Sequence, residues 1–426
     1  MTLNAEILTT GTEILLGEIV DTNAAWMAQQ LREIGVNLFY KTTVGDNEAR
    51  VREVLALGMA RSDVILVTGG LGPTADDITR EAIAGATGRP LLLNEPALAH
   101  LRERFARWGY HEMSENNVQQ AYIPQDAIVI ENPVGTAPGF IVETEHSAII
   151  AMPGVPREMM RMMADSVLPY LSRRNGDGGV IRRRVLRTVG IGESTIDTLI
   201  RDLMAGSNPT IGLAAHTGQV DVRVTARAAT PEAAEALIDA MHAKVSALIG
   251  RHIYSTVPDE AVESVVAGQL VAAGFRVALV ESNTGGVIAR RLSAGLADVD
   301  VVAASWVLGQ PAAGDLPVAH AHVPDFLQPD SDAAIAIAVE VQRWAAIAHA
   351  PQQVMSVVIL GAGGQDGGAY GQSKGETVIA LAWPDESGTL ATHTARFPYA
   401  GSDDLTVAWI GNRCLDLIRR LTPGSR

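Results

Sequence analysis

The sequence predicts an α/β protein in three parts. These are a doubly wound, mainly parallel sheet at the N-terminal end, a small α+β middle domain and a second α/β domain at the C-terminal end. Three observations carry this. Strand-like and helix-like segments alternate from the start. "DVILVTGG" is a continuous apolar run of the kind buried on both faces of a sheet. Capping residues precede the helical patterns.

In order, "AEILTT" reads as a strand, and Asp21 or Thr22 can cap a helix through "NAAWMAQQLREIG". "VNLFYKTTVG" is a strand, and Asp46 can cap "NEARVREVLALGMARS". "GFIVETEHSAIIAMPG" has the pattern of a hairpin, followed by the Met-rich helix "VPREMMRMMADSVLPYL". The polar run "SRRNGDGG" reads as a linker. The middle unit has "VIRRRVLRTVG", a helix from Glu193 or Ser194, the hairpin "TIGLAAHTGQVDVRVTARA" and the helix "PEAAEALIDAMHAKVSALIG". A second boundary falls at "YSTVPDE". Beyond it come helix "AVESVVAGQLVAAG", strand "FRVALVES", helix "GGVIARRLSAG", strand "VDVVAASWVL", the alanine-rich helix "DAAIAIAVEVQRWAAIAHA", "VMSVVILG" and "ETVIALAWP". The domains so defined are 1–171, 179–254 and 257–426. The alanine-rich helix is apolar on more than one face, so burial between domains or in a homodimer is expected.

Composition narrows the classes. The chain of 426 residues is 47% hydrophobic and can bury real cores. A formal charge of -15 argues against nonspecific binding to nucleic acid or anionic membrane. The single cysteine, Cys414, excludes an internal disulfide and reads as a small core residue. No signal-peptide pattern opens the chain and no apolar stretch is long enough to span a bilayer, so a soluble, cytoplasmic protein is expected.

The chemistry concentrates in "VTGGLGPTADDITREA". Gly69, Gly70 and Gly72 let the backbone approach a ligand, and their amides, at a helix start, suit phosphate oxygens. Such loops usually add a lysine, and none is present. Asp76 and Asp77 point instead to a divalent cation, Mg²⁺, Mn²⁺ or Co²⁺, bridging carboxylate and phosphate. The alternative is that either aspartate merely caps the helix. "TTGTEILLGEIVDTN", "ENPVGTAPGF" and "MPGVPREM" supply further turns, which in a doubly wound sheet gather at the carboxyl ends of the strands.

"GTEILLGEIVDTN", "TGGLGPTADDITREA", "NPVGTAPGF" and "MPGVPREM" together resemble the CinA family. The resemblance spans the chain, since "GIGES" and "ESNTGG" follow in order. It implies a molybdopterin-binding-type first domain, and two associated chemistries. One is metal-dependent ADP-ribose pyrophosphatase activity in the first domain; the other is nicotinamide mononucleotide deamidation in the last. Both belong to pyridine-nucleotide recycling. On this resemblance Asp77 is the first choice of metal ligand, with Asp76, Glu13 and Asp21 behind it. Gly11, Thr12 and Thr74 join the glycine loop around the ligand. Asn23 bonds a ribose or base, or only caps a turn, and Thr136 and Gly139 approach the other end. Where relatives often carry a basic pair, this chain has Val118 and Gln119.

In the third domain "VALVESNTGGVIARR" places Ser282 at a sharp turn before a helix, fit for a nucleophile beside backbone amides or for a plain cap. Relatives with deamidase activity supply a lysine and a tyrosine after the next strand. Here that segment reads "AASWVLGQPAAGD", with Trp306 at the tyrosine position and no lysine. Asn283 replaces a cysteine, Leu360 and Gln365 break a second glycine loop, and "GSDD" replaces Gly-Asp-Arg. Lys374, or His320 and His322 with Asp315 and Asp325 nearby, are the substitutes available as base or metal site.

The leading expectation is therefore a metal-dependent hydrolase of a nucleotide diphosphate, using Asp77, Asp76 and Glu13. The alternatives are deamidation at Ser282, which the missing lysine argues against, and a non-catalytic nucleotide- or pterin-binding scaffold. The expected partner is a small-molecule nucleotide, with a homodimer and neither nucleic acid nor membrane.

Overall fold

A computed structural model describes residues 3–107, 113–176, 179–308, 330–350, 352–361 and 371–424. They fall into two compact units, Met1–Arg182 with Ala226–Leu237, and Arg183–Thr225 with Ile238–Arg426.

The first unit runs β1 (Asn4–Thr10), α1 (Thr12–Leu15), α2 (Thr22–Glu33), β2 (Asn37–Val44), α3 (Glu48–Arg61), β3 (Val64–Thr68), α4 (Thr79–Thr87), β4 (Leu91–Leu93), α5 (Glu95–Arg107), β5 (Tyr122–Pro124), β6 (Ile128–Ile130), β7 (Gly139–Glu143), β8 (Ala148–Met152), α6 (Pro156–Met162) and α7 (Leu168–Asn175). Six strands form one sheet in the order β2-β1-β3-β8-β7-β6. The first four are mutually parallel, and β7 is antiparallel to both of its neighbours. Alternation along β3 explains the double winding. Val64 and Leu66 enter a core with Met27 and Met162, whereas Ile65 and Val67 enter another with Leu55 and Ile83. From β1, second in the sheet, the chain goes to β2 on one side and then to β3 on the other. The carboxyl ends of β1 and β3 therefore flank the point where winding reverses.

Asp21 caps α2 as expected, accepting from Ala24 N at 2.9 Å. Asp46 does not cap α3. Asn47 takes that place, accepting from Arg50 N at 3.1 Å, because Asp46 is held by the Thr12 backbone and hydroxyl at 2.9 and 2.8 Å. The linker also begins later than expected. A π turn at Met163–Val167 carries helix from α6 into α7 as far as Asn175. Asn175 is buried, accepting from Leu3 N at 3.0 Å and donating to Ile34 O at 2.9 Å, so the polar run 172–175 anchors the helix. The short β4, β5 and β6 and the polar α5 escape sequence reading, since three residues carry no detectable period.

The middle segment contains β9 (Val180–Val189), α8 (Glu193–Met204), β10 (Thr210–His216), β11 (Gln219–Ala228), α9 (Pro231–Ile249) and β12 (Ile253–Ser255), with strand order β10-β11-β9-β12. The remainder contains α10 (Val262–Ala272), β13 (Phe275–Glu281), α11 (Val287–Ala294), β14 (Val302–Val307), α12 (Ser331–Ala348), β15 (Gln353–Gly361), β16 (Lys374–Pro384), β17 (Leu390–Tyr399) and α13 (Asp404–Leu421). Its sheet order is β14-β13-β15-β16-β17, parallel through the first three strands and antiparallel through the last two. The alanine-rich α12 uses much of its apolar surface at home. Ala334, Ile337, Ala338, Val341 and Ala345 are buried with β15 and β16 residues, leaving Ile347 exposed. Cys414 is buried on α13, and burial pushes its thiol pKa up. Among the described residues no helix is long and apolar enough to cross a membrane.

Glu281 is fully buried and caps α11 from the preceding strand. Its carboxylate accepts from Thr284 Oγ1 at 2.7 Å, Ile288 N at 3.2 Å and Ala289 N at 3.0 Å. Glu281→Ala strands three buried donors and is expected to cost about 3 kcal/mol. Glu281→Gln keeps an acceptor and should cost less. Chemical unfolding of the full chain checks this; an Ala variant as stable as wild type would refute the capping role.

Candidate ligand-binding cleft

A cleft of about 470 Å³ opens at the carboxyl ends of β1 and β3, a size that suits a small ligand. Its walls include Thr9–Gly11 at the end of β1, the glycine loop after β3, and Pro153–Pro156 after β8. Most of the residues singled out in the sequence converge here: Gly11, Glu13, Asp21, Asn23, Gly69, Gly70, Gly72, Thr74, Asp76, Asp77 and Thr136. Thr12 and Gly139 are not in the lining. Thr12 stands behind it, bonding Asp46, and Gly139 lies within β7 against Ala151 and Met162.

The loop is built by close approach. Gly69 and Gly70 have φ of 104° and 66°, in the left-handed region. A Cβ on Gly69 would meet the Thr10 carbonyl, and one on Gly70 would meet the Thr79 hydroxyl. That hydroxyl donates to Gly69 O at 2.8 Å, and Thr79 N donates to Gly70 O at 3.1 Å. Among the described residues, no protein acceptor is hydrogen-bonded to the N–H groups of Gly70, Leu71 and Gly72.

Asn23 forms part of the wall. Its Nδ2 donates to Thr68 Oγ1 at 3.1 Å and Gly154 O at 2.7 Å. Thr68 Oγ1 itself donates to Pro153 O at 3.0 Å, which fixes the amide orientation. Asn23 Oδ1 is then left buried without a partner. Asn23 is 8% exposed and accepts nothing from the protein, so it is more than the simple turn cap considered above.

The acidic side chains are arranged differently from the expectation. Asp77 accepts from Thr74 N at 2.9 Å and from the Thr74 hydroxyl, closing the 74–77 turn. Neither it nor Asp76 caps α4, whose cap residue is Ile78 with no side-chain bond. Asp76 is solvent-exposed, and hydrogen bonding from Thr74 and from its own backbone holds its carboxyl below the usual range. Asp21 is committed to Thr9 Oγ1 at 2.9 Å and to Ala24 N. Among the described residues no three His, Cys, Asp or Glu groups converge to hold a metal ion. Asp21 and Asp77 are already hydrogen-bonded within the protein, whereas Glu13 lines the cleft with no hydrogen bond to its carboxylate among the described residues, and no chemical step is routed through a metal here.

Several lining residues were not read from the sequence. Gln120, 1% exposed, accepts from Thr136 Oγ1 at 2.9 Å, and Glu158 accepts from Asn132 Nδ2 at 2.7 Å. Gln119, at one of the positions where a basic pair was looked for, donates to Thr74 O at 3.3 Å. Arg80, just beyond the acidic pair, is buried beneath the loop.

In the third domain Ser282 lies at the carboxyl end of β13, four residues before the α11 cap Gly286. It does not cap that helix. Its Oγ accepts from Gly361 N at 2.9 Å and is 3.1 Å from Gly361 O. Asn283 Nδ2 reaches Thr377 Oγ1 and Gly401 O, each at 3.4 Å. Lys374 opens β16 and is exposed, and among the described residues it makes no hydrogen bond to Ser282. His320, His322, Asp315, Asp325 and Gln365 lie outside the described residues.

Comparison with known proteins follows this geometry. Residues 6–173 match the family "Probable molybdopterin binding domain", and residues 183–255 match "Damage-inducible protein CinA KH domain". A competence-damage inducible protein of Caldanaerobacter subterraneus is 33% identical over 99% of both chains. Another, from Caldicellulosiruptor saccharolyticus, is 40% identical over 68% of this chain and 70% of its own. A solved CinA structure from Thermoplasma acidophilum is 36% identical, with a TM-score of 0.36, covering 38% of this chain and 95% of that one. Nothing in these matches indicates an ADP-ribose pyrophosphatase or other metal-dependent hydrolase. That expectation is corrected: Asp77, its central residue, holds the turn through Thr74.

Asp77→Ala should release Thr74 and loosen the turn, lowering stability by about 1 kcal/mol. Asp76→Ala, on an exposed carboxyl, should stay within about 0.5 kcal/mol of wild type. Thermal melts of the two variants side by side check the order; an Asp76 loss larger than that of Asp77 would reverse the assignment.

Proposed function

The chain belongs to the CinA family of competence-damage inducible proteins, and from that premise we propose that its first domain is a binding domain for a phosphorylated heterocycle, a nucleotide or a pterin. The observation that carries the reading is the run of three residues, Gly70 to Gly72, that line the cleft and whose N–H groups have no acceptor among the described residues. Consecutive amides beside a helix start suit an oxyanion. Asn23 Oδ1 adds a buried acceptor without a partner, the kind of group that reads a ring N–H or a hydroxyl. The molybdopterin-binding description of residues 6–173 agrees with a pterin.

Calorimetric titration of the full chain tests this with adenosine monophosphate against adenosine, and 6-hydroxymethylpterin phosphate against the free pterin. The phosphorylated member of at least one pair should bind roughly tenfold tighter or more. Equal affinity within both pairs, or no binding at all, overturns the reading. Asn23→Ala should weaken phosphorylated and unphosphorylated ligands alike, by about tenfold, since it acts on the ring or sugar end.

The deamidase alternative rests on the position of Ser282 at the carboxyl end of a parallel strand, where open α/β sheets bind ligands. Its hydroxyl is engaged with Gly361, and no described basic side chain bonds it. No ammonia is therefore expected from nicotinamide mononucleotide. Ammonia release that disappears in Ser282→Ala would move an activity to the third domain.

A further inference from the structure

Arg80 is 2% exposed, an extreme position for an arginine. Its Nη1 donates to Leu71 O at 2.6 Å and its Nη2 to Gly72 O at 3.0 Å. Its Nε has no partner. Asp77 and Glu81 are the acids close enough to act on it, yet among the described residues no carboxylate bonds it. A buried guanidinium hydrogen-bonded only to neutral carbonyls, with Asp77 and Glu81 acting on it without a direct bond, is incompletely compensated. The glycine loop lies directly against it, and the other side of that loop is the cleft wall.

Peptide geometry supplies the link. In a trans peptide the C=O and the following N–H point in opposite directions. Drawing the Leu71 carbonyl toward Arg80 turns the Gly72 N–H away from Arg80. Gly72 lines the cleft, and its N–H has no acceptor among the described residues. Pro73 follows, so the next peptide has no N–H, and the grip on Gly72 O serves only to hold the loop's path.

We propose that Arg80 is the positioning residue of an anion site on the Gly70–Gly72 wall. From behind the loop it orients the amides and supplies the positive charge that makes the wall select a phosphate group. The inference rests on the reading of the first domain as a phosphate-binding site. It assigns the selectivity to a side chain that need not touch the ligand, and it accounts for a phosphate loop without lysine.

The test is calorimetry on the full chain with adenosine monophosphate and adenosine, in wild type, Arg80→Met and Arg80→Lys. Methionine keeps the bulk and removes the charge and both donors. Lysine keeps the charge but cannot span two carbonyls in the fork geometry. Arg80→Met should lose monophosphate affinity by roughly tenfold to a hundredfold, with adenosine affinity unchanged. Arg80→Lys should fall between Met and wild type. A merely structural role would weaken both ligands together. Variants that melt like wild type and keep the wild-type ratio of the two affinities overturn the proposal. So does failure of both variants to fold, which would make Arg80 a structural residue. A wild-type protein with no preference for the monophosphate refutes the phosphate reading itself, a result distinct from loss of the Arg80 effect.

Discussion

The close approach of the chain at the ends of β1 and β3 is the constraint on which the cleft depends. Thr10, Gly69, Gly70 and Thr79 meet there with no room for a Cβ on either glycine. Two hydrogen bonds from Thr79 to the glycine carbonyls then fix the first half of the loop. Arg80, the next residue, fixes the second half through Leu71 and Gly72. One turn of α4 thus binds four consecutive carbonyls of the loop. With the carbonyls held on the helix side, the amides are left for the cleft. The sheet supplies the location, since parallel strands on both sides of the reversal point end together.

This arrangement accounts for the two carboxylates beside the proposed anion site. Asp77 is structural, because the turn 74–77 needs an acceptor for Thr74 N and its hydroxyl. Asp76 faces water, where solvent screens it. Arg80 is the cation buried against the loop, with Asp77 and Glu81 the acids that act on it. The sequence alone assigns this cation no role. Net charge misleads in the same way: -15 for the chain describes its surface and says little about one buried wall.

The legible parts of the fold were those with strong periodic or continuous apolar signals. "DVILVTGG" is β3 because both faces of that strand are buried, and Asp21 caps α2 because no competing partner claims both of its oxygens. Asp46 and Asn47 could not be separated from sequence, since the deciding contact is Thr12, 34 positions away. The end of α7 was hidden for a related reason, as Asn175 is polar but pairs with Leu3 and Ile34 inside the unit. At the cleft the glycines, Asn23, Thr136 and the acidic pair were found because loops at strand ends are readable as a class. What each side chain does was less accessible. Asp77 has the chemistry of a metal ligand in isolation and becomes a turn acceptor once Thr74 stands beside it. Arg80 lies inside the motif "TGGLGPTADDITREA" but carries no recognised role there, and only burial singles out Arg80 and Gln120.

The third domain illustrates the same separation of scaffold from chemistry. Its parallel strands β14, β13 and β15 bring Ser282 and Gly361 together at their carboxyl ends. The buried Glu281 then takes over the capping of α11, which frees Ser282 from that duty. A serine so released needs a base to become a nucleophile. In the described structure its hydroxyl joins two strand ends instead, accepting from Gly361 N, while neighbouring Asn283 reaches Thr377 and Gly401. These contacts tie the end of β13 to β15, to β16 and to Gly401. The geometry that would present a nucleophile in one sequence is the geometry that braces neighbouring strands in this one. The difference lies in the side chains that surround the hydroxyl, not in the fold that positions it.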